Sequence, residues 1–162
     1  MQLLESSHAD RERILGEFER QLEPAQSPPR LTLDWGEVRE LAAKYPEFEI
    51  GVHTAHHVDL AGASEEQIRG ELERCVADVQ REVGVRPRHF SFPYGRSSPL
   101  ACRLAAEAGL ECAMGPSGPW LVEATSDRYC LPRLDARMPA SQLRLRTHPS
   151  FAALPSAFAN RG

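Results

Sequence analysis

The stretch from Phe48 to Gly95 constrains the fold more than any other. It reads as a strand, a long capped helix, a second strand and a rigid turn. Phe48-Glu49-Ile50-Gly51-Val52 alternates in the manner of a short strand and runs directly into His53. Ser64-Glu65-Glu66-Gln67 is a capping signal that opens a helix to about Val83. Ile68, Leu72, Cys75, Val76 and Val79 recur on one face of it, and Gly84 supplies the stop. His89-Phe90-Ser91-Phe92 is a strand closed by Pro93-Tyr94-Gly95. Two strands joined by a helix of this length argue for a parallel pairing.

The flanking chain continues the alternation. Residues 7–22 are charged, with Ile14, Leu15, Phe18 and Leu22 at helical spacing, and Pro24, Pro28 and Pro29 then make 23–30 a linker. Asp34-Trp35-Gly36-Glu37 is a capping box, and the helix it opens carries Val38, Leu41 and Ala42 on one face and stops near Tyr45-Pro46. Ser98-Pro99 starts a helix that ends at Gly109. Leu110 to Met114 is expected as a strand, 115–128 as loop and Cys130 to Leu134 as a last strand, followed by short helices at 139–146 and 149–158. Strands alternating with helices predict an α/β fold with a parallel sheet or an incomplete barrel. The division expected is 1–30 as helix and linker and 31–162 as the domain proper. In such folds chemistry collects at the carboxyl ends of the strands, where His53 and Pro93-Tyr94 both fall.

Composition excludes more than it selects. The chain has 162 residues, enough for one domain. A net charge of -4 gives no case for binding nucleic acid or an anionic membrane surface. No apolar run approaches the ~18 residues of a membrane span. Met1-Gln2-Leu3-Leu4-Glu5 soon becomes highly charged, which is not a secretory leader, so a cytoplasmic location is expected of the sequence as it stands. The four cysteines (Cys75, Cys102, Cys112 and Cys130) form no C-x-x-C pair, and reduced, partly buried thiols are the expectation. Two disulfides stay open should the chain be exported.

Three histidines, His53, His56 and His57, lie within five residues directly after a strand. Imidazole is the commonest neutral ligand for zinc and similar metals. Positions four apart place His53 and His57 on one side of a turn, with His56 pointing elsewhere. A surface cluster is the plain alternative. A catalytic zinc wants a third protein ligand, and the carboxylates available are Asp34, Asp59 and, more remotely, Asp135. Asp34 is better explained as a helix cap and Asp59 as a turn former. A structural site using a cysteine is disfavoured, because Cys75 is expected mid-helix and the others are distant in sequence.

In their order and spacing these segments resemble the polysaccharide deacetylase family, the NodB-like carbohydrate esterases. The resemblance rests on Glu49-Ile50-Gly51-Val52-His53-Thr54-Ala55-His56-His57, the long helix, and Phe90-Ser91-Phe92-Pro93-Tyr94-Gly95. The helix from Trp35 to Leu41 and the strand Leu131-Pro132-Arg133-Leu134 extend it, so that it runs from about 33 to 135. It implies a distorted, incomplete (β/α) barrel. It also implies a divalent metal, zinc above all, held by an aspartate and two histidines, and an N-acetylated polysaccharide or oligosaccharide as substrate. Carried onto this chain, His53 and His57 become metal ligands, Thr54 braces their loop, Pro93 and Tyr94 border the substrate, and the Tyr94 backbone N–H becomes the oxyanion donor.

The sequence departs from the family pattern at three points. The family's paired aspartates have no counterpart, because no two aspartates are adjacent anywhere in the chain. Ser91 stands two before Pro93, where many members carry an arginine, and no clear Leu-x-His follows. Three accounts stay open. The chain is the later part of a longer protein, or a degenerate relative that binds glycan or a partner without hydrolysis, or a centre that recruits another carboxylate. Losing an anionic ligand and the base predicts weak or absent N-deacetylation by this chain alone.

Overall fold

The computed structural model describes residues 8–22, 29–117, 122, 124–133 and 137–148. Its elements are α1 (His8–Leu22), α2 (Trp35–Lys44), α3 (Glu65–Val83), β1 (His89–Ser91), α4 (Pro99–Glu107), β2 (Cys112–Ser117), β3 (Leu131–Arg133) and α5 (Ala140–Thr147). The expected helix at 149–158 lies outside the described residues.

The helices begin and end where their caps are written. The Asp34 side chain accepts from the Glu37 amide while the Glu37 side chain accepts from the Asp34 amide, each at 2.9 Å. Ser64 caps α3 by accepting from the Gln67 amide, and Gly84 closes it in the left-handed conformation at φ 81. Ser98 caps α4, with Pro99 in the first turn.

β1, β2 and β3 form a parallel sheet in that order. Phe90 sits opposite Ala113 and Ser91 opposite Met114, and β2 continues past an irregularity to place Ser117 opposite Arg133. Pro116 lies in that irregular stretch, where a missing N–H does least harm to a ladder. The stripe foreseen on α3 is buried in full and packs with Phe90, Phe92, Leu104 and Ala105. Phe90 and Phe92 are completely enclosed, with ring centroids 4.8 Å apart and planes at 86°. The result is a partial, barrel-like parallel sheet, with α3 between the Val52 bridge and β1 and α4 between β1 and β2.

Two expectations are corrected. The strand foreseen at 48–52 is realised as a single parallel bridge, Val52 to Phe90. Its two hydrogen bonds run from the Val52 amide to His89 O and from the Ser91 amide to Val52 O. Among the described residues nothing pairs on its outer side, and Phe48 remains 61% exposed, so little holds the earlier residues in line. Gly51 is required for even this approach, since a Cβ there would stand 2.9 Å from His89 O. Second, β2 runs to Ser117, because its pairing with β3 extends beyond Met114, and the first residues of the expected loop at 115–128 belong to the sheet.

The apolar faces of α1 and α2 are less enclosed than that of α3. Val38, Leu41 and Ala42 are half-buried, and Leu15, Phe18 and Leu22 are exposed. No helix among the described residues is long and apolar enough to cross a membrane.

Candidate functional site

The site forms where the Val52 bridge and β1 end, at neighbouring points on one rim of the sheet. Ordinary extended backbone would carry His53 and His57 apart. Instead Thr54 and His57 adopt left-handed conformations, at φ 63 and φ 54, which fold 53–57 into a tight bend. The two imidazoles meet edge to face with centroids 4.8 Å apart.

The neighbouring strand fixes the His53 ring. Its Nδ1–H donates to the Ser91 carbonyl oxygen at 2.5 Å. A carbonyl can only accept, so this bond places a hydrogen on Nδ1, and in the neutral ring the lone pair then lies on Nε2. Metal-ligating histidines characteristically use a second-nitrogen bond to a carbonyl in this way. His57 is tuned by its surroundings. Burial holds its imidazole below the ordinary histidine range, and the neighbouring His53 and Arg11 of α1 push the same way, against an opposing bond within its own backbone. The neutral ring, the form that binds metal, is therefore favoured.

The turn after β1 lies beside the His57 ring. Phe92 and Pro93 are buried, Tyr94 takes φ 56, and its ring meets His57 edge to face at 4.7 Å. Gly95 follows at φ 66, with the Arg133 guanidinium so close that a Cβ would stand 2.8 Å from Nη2. Arg133 reaches from β3 to donate to Ser91 Oγ at 2.7 Å, Gly115 O at 3.0 Å and Phe92 O at 3.3 Å. One planar fork thus ties β1, β2 and the turn together. The sequence reading placed Arg133 on a strand and assigned it no part in the site. The parallel register brings it to Ser91, the position where the family pattern puts an arginine.

The structure therefore brings together His53, His57 and Tyr94, with Pro93 buried in the same turn. Among the described residues neither Asp34 nor Asp59 completes a three-donor cluster with the two histidines. Asp34 is occupied as the cap of α2. Asp59 forms a turn by accepting from the Ala61 amide and pairs with Arg96 at 3.2 Å. Asp135 lies outside the described residues. His56 turns from the pair and donates through Nδ1 to Glu71 on α3. The thiols offer nothing in their place. Burial pushes Cys75 up to about 12, and its Sγ donates to Leu72 O.

Two imidazoles side by side, one held through its Nδ1–H by a main-chain carbonyl, suit a divalent ion such as zinc. They fit as two of its ligands. Among the described residues no group of three or more His, Cys, Asp or Glu side chains converges to complete the set.

Comparison with known proteins bears on the family and the fold. The sequence model of the polysaccharide deacetylase family matches residues 7–113. No curated protein sequence matches the chain. Among solved structures, IcaB from Ammonifex degensii is similar with a TM-score of 0.60 at 18% identity, over 76% of this chain and 54% of its own. A de-N-acetylase from Aggregatibacter actinomycetemcomitans gives 0.59 at 16% identity, over 75% and 55%. The BpsB deacetylase domain from Bordetella bronchiseptica gives 0.54 at 18%, over 75% and 63%. At such identities the likeness shows the fold, and the chain spans about half the length of the first two structures. With a family match across most of the sequence and the fold of these structures, the chain belongs to the polysaccharide deacetylase family.

Proposed function

We propose that this chain carries the two-histidine part of a metal-dependent carbohydrate N-deacetylase centre, acting on an N-acetylated polysaccharide or oligosaccharide. Residues 31–162 are the catalytic-type domain in this reading, with 1–30 as helix and linker. The observation that carries it is the bond from His53 Nδ1 to Ser91 O, beside a His57 ring 4.8 Å away. In the neutral ring it leaves the lone pair on Nε2, next to a second, preferentially neutral ring.

His53 and His57 would hold the ion. When bound, it supplies Lewis-acid polarisation of the acetamide carbonyl and of a water molecule. The remaining work falls to the chain itself. Ser91 O orients His53. Arg133 fixes the Phe92–Gly95 turn, so that the Tyr94 backbone N–H donates to the oxygen that gains charge as the amide is attacked. The Tyr94 ring, against His57, borders the substrate in this reading.

Among the described residues no carboxylate joins the histidine pair as a base, and losing such a group costs ~10²–10⁴ in rate. Hydrolysis by this chain alone is accordingly weak. The absence of a third donor among the described residues favours, as a second reading, a domain that binds glycan without turning it over. Acetate release from an N-acetylglucosamine oligomer, with Zn²⁺ and with a chelator, separates the two. Slow release that requires Zn²⁺ and vanishes in His53→Ala supports the centre. Release that ignores both refutes it, and glycan binding with no release supports the second reading.

A further inference from the structure

α3 carries one carboxylate inside its apolar stripe. Glu71 is 8% exposed and is the buried charged residue among the described ones, on the same face as Ile68, Leu72 and Cys75. A carboxylate survives there only if its lone pairs are taken. All of its bonds in the structure go to the histidine segment. Oε2 accepts from the Ala55 and His56 amides, each at 2.9 Å, and Oε1 accepts from His56 Nδ1–H at 2.6 Å.

These donors lie between His53 and His57, within a bend whose Thr54 and His57 are both left-handed. Such a conformation costs a residue with a side chain roughly 1–2 kcal/mol, and it persists only where the surroundings over-determine it. Thr54 gives no help through its side chain, since its Oγ1 is buried without a hydrogen-bond partner. Ser91 secures the His53 ring, but it places no hold on residues 55–57. Glu71 holds Ala55 and His56 directly.

We propose that Glu71 is the positioning residue of the two-histidine centre: its three accepted bonds pin Ala55 and His56 to α3 and thereby turn the His57 ring onto His53. The inference deepens the proposed function and rests on the reading of His53 and His57 as a ligand pair. It makes His56 part of the support and gives the third histidine of the segment a role.

Two variants separate positioning from simple charge or bulk. Glu71→Gln keeps the length and a carbonyl oxygen for both amides, while its NH₂ can donate to the other tautomer of His56. Glu71→Asp keeps the charge but falls one methylene short. The readouts are Co²⁺ affinity from its absorption spectrum and, in the metal-free chain, the NOE between the His53 and His57 ring protons. Glu71→Gln is expected to bind Co²⁺ within about threefold of wild type and Glu71→Asp to lose roughly 10- to 100-fold, with the ring-to-ring NOE lost in Asp alone. A fold-stabilising role without positioning would lower the melting temperature and leave that NOE intact. Retained NOE and affinity in Glu71→Asp, or loss of both in Glu71→Gln with Asp unaffected, would overturn the proposal. A wild-type chain that takes no Co²⁺ would sink the metal reading, while the metal-free NOE still decides the role of Glu71.

Discussion

The His53 imidazole donates its Nδ1 hydrogen to the Ser91 carbonyl oxygen at 2.5 Å, across 38 positions of sequence. That bond joins the end of the Val52 bridge to the end of β1. It also selects one tautomer, so the orientation of a candidate ligand is set by main chain, which a side-chain substitution at 91 leaves in place. Ser91 is itself held from its other side, where Oγ accepts from Arg133.

Arg133 should therefore matter beyond its charge. Replacing it with Met leaves three acceptors without their donor and should cost about 2 kcal/mol of stability. Arg133→Lys should recover less than half, because a single ammonium cannot span the fork. Denaturant titration checks both. A Lys variant as stable as wild type would show that charge alone suffices.

The backbone at Tyr94 gives a second test. At φ 56 a residue with a Cβ is strained, and Tyr94→Gly should be about 1 kcal/mol more stable than Tyr94→Ala. Both lose the ring against His57, so the comparison isolates the backbone. Equal melting temperatures would mean that the turn relaxes out of the left-handed conformation once the ring is gone.

The start of α2 should respond to acid. The backbone bond from Glu37 holds the Asp34 carboxyl below its ordinary range, and the side-chain bond to Arg30 does the same for Glu37. Both folded-state values lie below the unfolded ones, so the folded chain binds fewer protons across this range. The stability they contribute is complete above the unfolded values near ~4 and is lost as pH falls through the depressed folded values. Protection of the Glu37 amide from hydrogen exchange should fall over that window. Unchanged protection well below it would contradict the assignment.

Much of this was legible in the sequence, for physical reasons that differ by element. α3 and α4 announce themselves because Ser64, Gly84, Ser98 and Pro99 carry local cap chemistry that does not depend on the rest of the fold. His53 and His57 were legible by spacing and by their place after an apolar run. Glu71 was missed, although a carboxylate among Ile68, Leu72 and Cys75 on one helical face is itself a signal of a buried bond. The Arg133 contact with Ser91 was beyond local reading, since it depends on the parallel register across 42 positions. The strand at 48–52 was over-read because alternation reports a propensity, and a ladder also needs a neighbour on which to form.

The most direct test of the account is zinc binding by the purified chain at neutral pH, measured by equilibrium dialysis. One Zn²⁺ per chain is expected, lost in His53→Ala and in His57→Ala and retained in His89→Ala, where the histidine pairs with Glu49 away from the site. No uptake by the wild-type chain, or uptake that survives both His53→Ala and His57→Ala, would contradict it.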